Sequence, residues 1–321
     1  MQPAAPPPGP RFACYLDHVV IGRSRGAAVL ALAACAIAPS AAFGQGFYSP
    51  DNSPAGANDF ECVPSAEHPE PVVLVHGLGA NMQGNWGYIS PRLADAGYCV
   101  FALTYGRKAD NPPPFDQNGG LIPMEESALE LAAFVDQVLT ATGATQVDIV
   151  GHSEGSLMPN HYVKFLPEAR HADGSLKVDD YVGITPLWDG SNVGGVGTLR
   201  EAANSNGSAE PFEQLVERGC EACTQVVSGS DFMDAMNAGP TGPRVEGVTY
   251  TMLMTRYDQL VIPYTSGHMD GATNIVMQDQ CPADPSEHVA MAFNPNVLRN
   301  VLNALDPANA GAVDCSSMLR F

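Results

Sequence analysis

Positive charge is what this chain has least of. Its 321 residues carry 15 Lys and Arg against 35 Asp and Glu, a formal net charge of −20 at pH 7. Nucleic-acid phosphates are bound by clustered Lys and Arg, so no nucleic-acid partner is expected. Docking on an anionic membrane surface needs the same cations and is excluded with it. Charge of either sign is scarce, at 16% of residues against roughly 25% in a typical soluble domain. No apolar run reaches the roughly 20 residues that span a bilayer, so no transmembrane anchor is expected. Internal repeats are absent as well. What is present is 45% apolar residues, with 32 Gly and 27 Pro. That content supplies a buried core, and the length suits one large domain or two small ones. The balance predicts a soluble, acidic, globular protein with one substantial core.

The first residues are organised differently from the rest. Residues 1–10 are rich in Pro and Ala and predict disorder. Arg23 and Arg25 precede an apolar stretch over 27–38, and small residues follow as far as Gly44. A positive region, a short apolar region and a small-residue cleavage site form the layout of a secretory signal. Residues 1–44 are therefore expected to be a signal peptide, cut after Ala42 or Gly44, and the mature chain to be exported. The stretch before Arg23 is long for a signal, which leaves a start codon downstream of Met1 open. Leu32-Ala33-Ala34-Cys35 also resembles a lipobox, whose alternative outcome is a lipid anchor on Cys35. An ordinary core helix fits the segment less well, because it has no polar face and no cap.

Six cysteines follow residue 44: Cys62, Cys99, Cys220, Cys223, Cys281 and Cys315. An even number in an exported chain predicts three disulfides, with all fifteen pairings open. Cys220-Glu-Ala-Cys223 invites a redox or zinc reading. The first needs a βα context and the second needs another ligand pair, and neither is nearby. A short structural disulfide is the expectation.

Periodicity predicts strands alternating with helices. Val72-Val73-Leu74-Val75 is a continuous apolar run and reads as a fully buried strand. A short helix is expected over 91–96, a strand over 98–105, and a helix over 124–142. The apolar stripe assigned to that helix is Leu129, Ala132, Ala133, Val135 and Val138. Strands are expected at 147–150, 181–185, 248–255 and 273–278, with a helix over 155–165. Asn294-Pro295 opens a final helix, Asn as cap and Pro in the first turn. This alternation predicts an α/β architecture with a mostly parallel sheet. Residues 189–245 interrupt it. They are rich in Gly, Asn and Ser, with a short helical piece at 211–218, and are too long for a simple connection. They read as a cap or lid insertion within a single catalytic domain, 45–321.

Gly151-His152-Ser153-Glu154-Gly155 is the strongest local signal. It matches G-x-S-x-G and lies between a buried strand and a helix, the context this motif requires. The turn is sharp enough to strain its central residue and lift that side chain above the sheet. Glycines two before and two after let backbone approach without a Cβ. Ser153 is thus the candidate nucleophile, at a helix N-terminus that favours developing negative charge.

The chain resembles secreted bacterial class 2 (triacylglycerol) lipases of the α/β-hydrolase superfamily. The resemblance is carried by Pro71-Val-Val-Leu-Val-His-Gly77, Gly97-Tyr-Cys-Val-Phe-Ala-Leu103, Val147-Asp-Ile-Val-Gly-His-Ser153, Thr255-Arg-Tyr-Asp258 and the stretch from Cys281 to His288. It implies an α/β-hydrolase fold. Such lipases usually read G-H-S-Q-G-G, whereas Glu154 and Ser156 stand here in place of Gln and Gly. A carboxylate aimed at the oxyanion would oppose it. The Glu154 side chain is therefore expected to face away, held by a partner that the sequence does not identify.

In this fold the loop after the first strand and the residue after the nucleophile each supply a backbone N–H to the tetrahedral intermediate. The expected oxyanion hole is Leu78 and Glu154. His76 reads as a structural, hydrogen-bonded residue. Chain order is nucleophile, acid, base. His288 follows the last strand and is the expected base, with His268 as the rival. A disulfide from Cys281, with Cys315 as one candidate partner, would stiffen its loop. Asp258 follows the 248–255 strand and is the expected acid, with Asp189 and Asp231 as rivals.

The resemblance favours an ester or lipid substrate, acylglycerols first, with a lipid–water interface as one place of encounter. Short-chain carboxylesterase and polyester hydrolase are the alternatives, because fold alone does not settle substrate. A non-catalytic binding protein on the same fold is a further alternative, disfavoured because all three triad residues are present. Met233, Met236, Phe212 and Phe232 are equally readable as an acyl pocket, a lid or a small core of the insertion. No cofactor is implied and no metal-ligand spacing is evident. The sequence sets no oligomeric state.

Overall fold

A computed structural model of the chain describes residues 51–108, 110–112, 115–193 and 219–316. The expected signal peptide, Cys35, the helical piece at 211–218 and Phe212 lie outside these residues. The described residues belong to one compact unit, Pro39–Phe321.

In chain order the elements are β1 (Val72–Val75), α1 (Met82–Trp86), α2 (Ile89–Asp95), β2 (Val100–Leu103), α3 (Met124–Thr142), β3 (Val147–His152) and α4 (Met158–Phe165). They continue with β4 (Val178–Ile184), α5 (Ala222–Gln225), α6 (Asp231–Asn237), β5 (Thr249–Met254), β6 (Thr273–Val276), α7 (Met277–Gln280) and α8 (Pro295–Leu305). The described strands form one sheet in the order β2-β1-β3-β4-β5-β6. Every neighbouring pair is parallel. Parallel strands covered on both faces need apolar side chains at every position, which is why β1 reads as an unbroken Val-Val-Leu-Val run.

Alternation along β1 divides the core in two. Val73 and Val75 face α3, α4 and α6, together with Phe101, Ile149, Leu131, Val135, Tyr162 and Met236. Val72 and Leu74 face α1, α2 and α8, together with Trp86, Ile89, Leu93, Val297 and Val301. Each large apolar side chain buried in these layers contributes roughly 1.5–3 kcal/mol.

The helices end where their sequences direct. α3 has Glu125 and Glu126 in its first turn, where acidic charge suits the helix dipole, and closes on Gly143 at φ 72°. The Asn294 side chain caps α8 by accepting from the N–H groups of Asn296 and Val297.

Several expectations shift. α3 spans the residues expected, and Ala132, Val135 and Val138 are buried as expected, but the stripe continues through Met124, Ala128, Leu131 and Leu139, while Leu129 is exposed. Ala133 is exposed as well. Apolar residues occur on both faces of this helix, so its own periodicity did not select the buried side. The helix expected from 155 begins at Met158, after a 3-10 turn over Ser153–Ser156. β6 ends at Val276 because Met277 turns into α7. In the stretch expected to be an insertion, Phe232, Met233 and Met236 join the main core instead of forming one of their own. No described helix is long and apolar enough to cross a membrane.

Among the described residues three disulfides are present: Cys62–Cys99, Cys220–Cys223 and Cys281–Cys315. The first ties the chain before β1 to the start of β2, and the third ties the loop after α7 to the segment beyond α8.

Candidate active site

The strand order reverses direction at β1, which pairs with β2 on one side and β3 on the other. In open parallel sheets, ligands bind beyond the carboxyl ends of strands at such a reversal. Ser153 stands at that end of β3.

Ser153 takes φ 58°, in the left-handed region that a side chain rarely occupies. Such strain costs about 1–3 kcal/mol and persists only where the surroundings enforce it. Two glycines enforce it here. A Cβ on Gly151 would lie 1.9 Å from the Gly155 carbonyl oxygen, and one on Gly155 would lie 2.2 Å from the Val75 oxygen. The turn after β3 is thereby pressed against the end of β1, a close approach that only these spacings permit.

Asp258 follows β5 and His288 follows β6, and the structure brings them together. His288 Nδ1 lies 2.8 Å from Asp258 Oδ2 and 2.9 Å from Oδ1. Both side chains are 3% exposed. Asp258 Oδ1 also accepts from the N–H groups of Leu260 at 2.9 Å and Val261 at 2.7 Å. The carboxylate is thus held by its own turn before it meets the imidazole. A contact at Nδ1 orients the ring with Nε2 free for chemistry.

The loop carrying His288 is fastened at several points. Asn294 Nδ2 donates to Asp284 Oδ2 and Ser286 Oγ, each at 2.8 Å. Thr255 Oγ1 donates to the Ser286 carbonyl at 2.6 Å, joining the loops that carry Asp258 and His288. The Cys281–Cys315 bridge anchors its start.

Among the described residues no hydrogen bond joins the Ser153 hydroxyl to His288, a contact that commonly tightens only with substrate bound. The two are linked through a neighbour. His152 Nε2 lies 3.0 Å from the His288 carbonyl oxygen, and His152 Nδ1 lies 2.9 Å from Asn85 Oδ1. Asn85 Oδ1 also accepts from the Gly77 N–H at 3.2 Å. Burial, and then the neighbouring His288, lower the His152 pKa to about 3, so this ring is neutral. Sequence reasoning missed Asn85 and His152 as parts of the site. His152 lies inside the motif and was open to detection, whereas Asn85 has no local signature.

The loop after β1 lies directly on Ser153, since a Cβ on Gly77 would come 3.0 Å from the Ser153 Cβ. Its amides are nearly all in use. Gly79 N–H donates to the Gly119 carbonyl and Ala80 N–H to the Gly77 carbonyl. The N–H groups of Leu78 and Glu154 have no hydrogen-bond partner among the described residues. His76 is fully buried, with Nδ1 2.8 Å from the Gly77 oxygen and Nε2 accepting from the Tyr105 N–H at 3.3 Å. Burial lowers its pKa to about 4, against a smaller opposing effect of the Gly77 carbonyl.

The unnamed partner of Glu154 is Tyr105, whose hydroxyl lies 3.1 Å from Glu154 Oε1. Glu154 is 1% exposed, and burial raises its pKa to about 8 despite that contact.

The rivals lie elsewhere. His268 sits half exposed beside Asp270 at 3.6 Å. Asp189 and Asp231 are both exposed. Cys220 and Cys223 are bonded to each other, which engages the sulfurs that a redox or zinc reading would need. Close in the chain to Asp258 and His288, Tyr257, Leu260, Ile262 and Val289 are exposed apolar residues, as is Val193. The Asn192 N–H donates to the Ile262 carbonyl at 2.8 Å, which brings the chain at Val193 next to that segment.

A six-stranded parallel sheet flanked by helices, with a strained Ser at the end of a central strand, defines an α/β-hydrolase fold. The model of the class 2 lipase family matches residues 69–300, and the chain belongs to that family. A triacylglycerol lipase of Pseudarthrobacter phenanthrenivorans is 36% identical over 104 residues, covering 30% of this chain and 29% of that protein. A triacylglycerol lipase of Burkholderia plantarii is 36% identical over 104 residues, covering 30% of this chain and 26% of its own length. The matched stretch is thus under a third of each relative. Among solved structures, lipase B of Aspergillus fumigatus superposes with a TM-score of 0.57 at 18% identity, over 83% of this chain and 57% of the other. The mature lipase BlEst2 of Bacillus licheniformis gives a TM-score of 0.50 at 15% identity, over 76% and 94%. At such identities these two share the fold.

Proposed function

We propose that the chain is an exported serine ester hydrolase, a triacylglycerol lipase acting through an acyl-enzyme on Ser153. The buried Asp258–His288 pair at the carboxyl end of the sheet is the observation that carries this reading. His288 takes the Ser153 proton as the hydroxyl attacks the ester carbonyl. Asp258 keeps the imidazole oriented and stabilises its cationic form without itself taking the proton. The oxyanion is received by the N–H groups of Leu78 and Glu154, each such donor being worth roughly 3–4 kcal/mol in the transition state. The alcohol leaves with the proton from His288, and water repeats the cycle on the acyl-enzyme.

The substrate reading rests on the exposed apolar residues close in the chain to Asp258 and His288 and on family membership. The triacylglycerol lipases it resembles point the same way. Exposed apolar side chains flanking Asp258 and His288 in the chain suit a water-insoluble ester presented at an interface. The domain reading is a catalytic unit over 45–321 after removal of 1–44, with 189–245 as its insertion. Three disulfides suit an oxidising compartment and support export.

The test is hydrolysis of p-nitrophenyl esters from acetate to palmitate, and of emulsified triolein, by the wild type and Ser153→Ala. Loss of activity in the variant, with preference for long chains and triolein, is the expected result. Short-chain preference moves the assignment to carboxylesterase. A folded wild type inactive on every ester overturns the reading.

A further inference from the structure

Glu154 serves the proposed reaction through its main chain, yet its side chain is a buried carboxyl where related lipases usually carry an amide. Counting protons around it decides its form. The Tyr105 hydroxyl lies 2.9 Å from the His76 carbonyl oxygen and 3.1 Å from Glu154 Oε1. A carbonyl oxygen only accepts, and a phenol has one proton to give. With Glu154 ionised, two acceptors compete for that proton. With Glu154 neutral, its O–H donates to the Tyr105 oxygen, Tyr105 donates to His76, and both contacts are hydrogen bonds. Glu154 Oε2 is buried without a hydrogen-bond partner, an arrangement that an anion tolerates badly. Space is closed off too: a Cβ on Gly120 would meet Oε1 at 3.0 Å.

We propose that Glu154 is a positioning residue acting as a neutral carboxylic acid, whose O–H donates to Tyr105 so that Tyr105 can donate to the His76 carbonyl. This rests on the serine ester hydrolase reading, in which Leu78 and Glu154 receive the oxyanion. The chain of two hydrogen bonds joins the residue after the nucleophile to the residue that opens the Leu78 loop. It therefore holds the two amide donors at a set separation. Ionisation of Glu154 removes one of the two bonds and adds negative charge beside the developing oxyanion, so activity falls on the alkaline side.

The groups facing this carboxyl do not supply a compensating cation. Tyr105, after β2, is its direct partner, and burial and then Glu154 itself raise the phenol well above its ordinary pKa. His76, at the end of β1, is stacked on Tyr105 with ring centroids 4.4 Å apart and is kept neutral by burial. Glu130 of α3 and Tyr181 of β4 act on Tyr105 in the same upward direction. Glu130 is itself engaged, accepting from the Gly106 N–H at 3.0 Å.

The experiment follows kcat/KM for a soluble p-nitrophenyl ester from about pH 6 to about pH 10 in the wild type, Glu154→Gln and Tyr105→Phe. Gln can donate to Tyr105 and cannot ionise. The readout is each variant's alkaline rate divided by its own neutral rate. The wild-type ratio is expected to fall about tenfold per unit above roughly pH 8, carried by kcat, while the Glu154→Gln ratio stays flat. Tyr105→Phe breaks the chain, lowering kcat at neutral pH. Infrared difference spectra supply a readout independent of turnover: a protonated-carboxyl stretch at neutral pH, absent in Glu154→Gln and lost from the wild type as pH rises. An identical alkaline limb in wild type and Glu154→Gln, or no such band, overturns the proposal. Ester hydrolysis that survives Ser153→Ala overturns the underlying reaction instead, and the infrared band measured on that variant still decides the protonation of Glu154.

Discussion

His152 Nε2 lies 3.0 Å from the backbone carbonyl of His288, so the residue before the proposed nucleophile is tied to the proposed base. The same imidazole meets Asn85, which in turn accepts from the Gly77 N–H of the loop on Ser153. One buried ring therefore joins the Ser153 turn, the His288 loop and the Gly77 loop, three segments far apart in the chain.

Replacing Asn85 with Ala removes the centre of that junction. It leaves the buried Gly77 N–H without its acceptor and His152 Nδ1 without its polar neighbour, at a cost of about 1–3 kcal/mol in stability. The expected outcome is a lower thermal midpoint and a roughly tenfold to hundredfold drop in kcat, with KM little changed. Thermal unfolding and steady-state kinetics on the same preparation measure both.

Asp258→Asn keeps the shape of the side chain and removes its charge. The imidazole then loses its orienting acceptor and its counter-charge. A fall in kcat of roughly ten-thousandfold is expected. A loss under tenfold would return Asp189 or Asp231 to consideration.

The Cys281–Cys315 bridge closes a separation of 34 residues around the loop that carries His288. Loop-closure entropy assigns such a bridge about 3–4 kcal/mol. The paired change Cys281→Ser and Cys315→Ser is expected to lower the thermal midpoint by several degrees. Activity should decay faster on incubation, because the loop is loosened where the base stands.

Stability against pH tests the buried carboxyl separately from turnover. The folded-state pKa of Glu154 lies near 8, above its ordinary 4.5, so the folded state holds the proton more tightly than the unfolded state. Its stabilising contribution is present below about pH 4.5 and is lost as pH rises towards about 8. His76 runs the other way, its stability falling as pH drops from 6.5 towards about 4. The difference between wild type and Glu154→Gln isolates the first effect. Urea midpoints should show the variant gaining on the wild type from about pH 4.5 to about pH 8 and then holding level. A constant difference across that range would refute the assignment.

The role of these exposed apolar residues is tested by Leu260→Asp combined with Val289→Asp. The ratio of triolein activity to soluble-ester activity is expected to fall about tenfold. An unchanged ratio would remove the interfacial role.

Much of the architecture was legible because it is written locally. An unbroken apolar run specifies a strand covered on both faces, as β1 shows. Asn294-Pro295 announces α8 because a cap is satisfied within three residues. The strained turn at Ser153 is readable from glycine spacing, since Gly151 and Gly155 are needed wherever backbone presses that closely. Chain order then nominated Asp258 and His288. The sequence by itself thus determined the alternation of elements, the strained serine and a short set of candidates around it. Tertiary structure alone decided the rest. The folded chain brings Cys62 to Cys99 and Cys281 to Cys315, where composition allowed fifteen pairings. Packing of α3 against the sheet left Leu129 in solvent, because its apolar residues offered two faces. The partner of Glu154 lies 49 residues away at Tyr105, and the centre of the site's hydrogen-bond junction is Asn85. Neither has a local signature, because a buried polar group is satisfied by whatever the fold carries to it, and that neighbour is fixed only once the strands have taken their places.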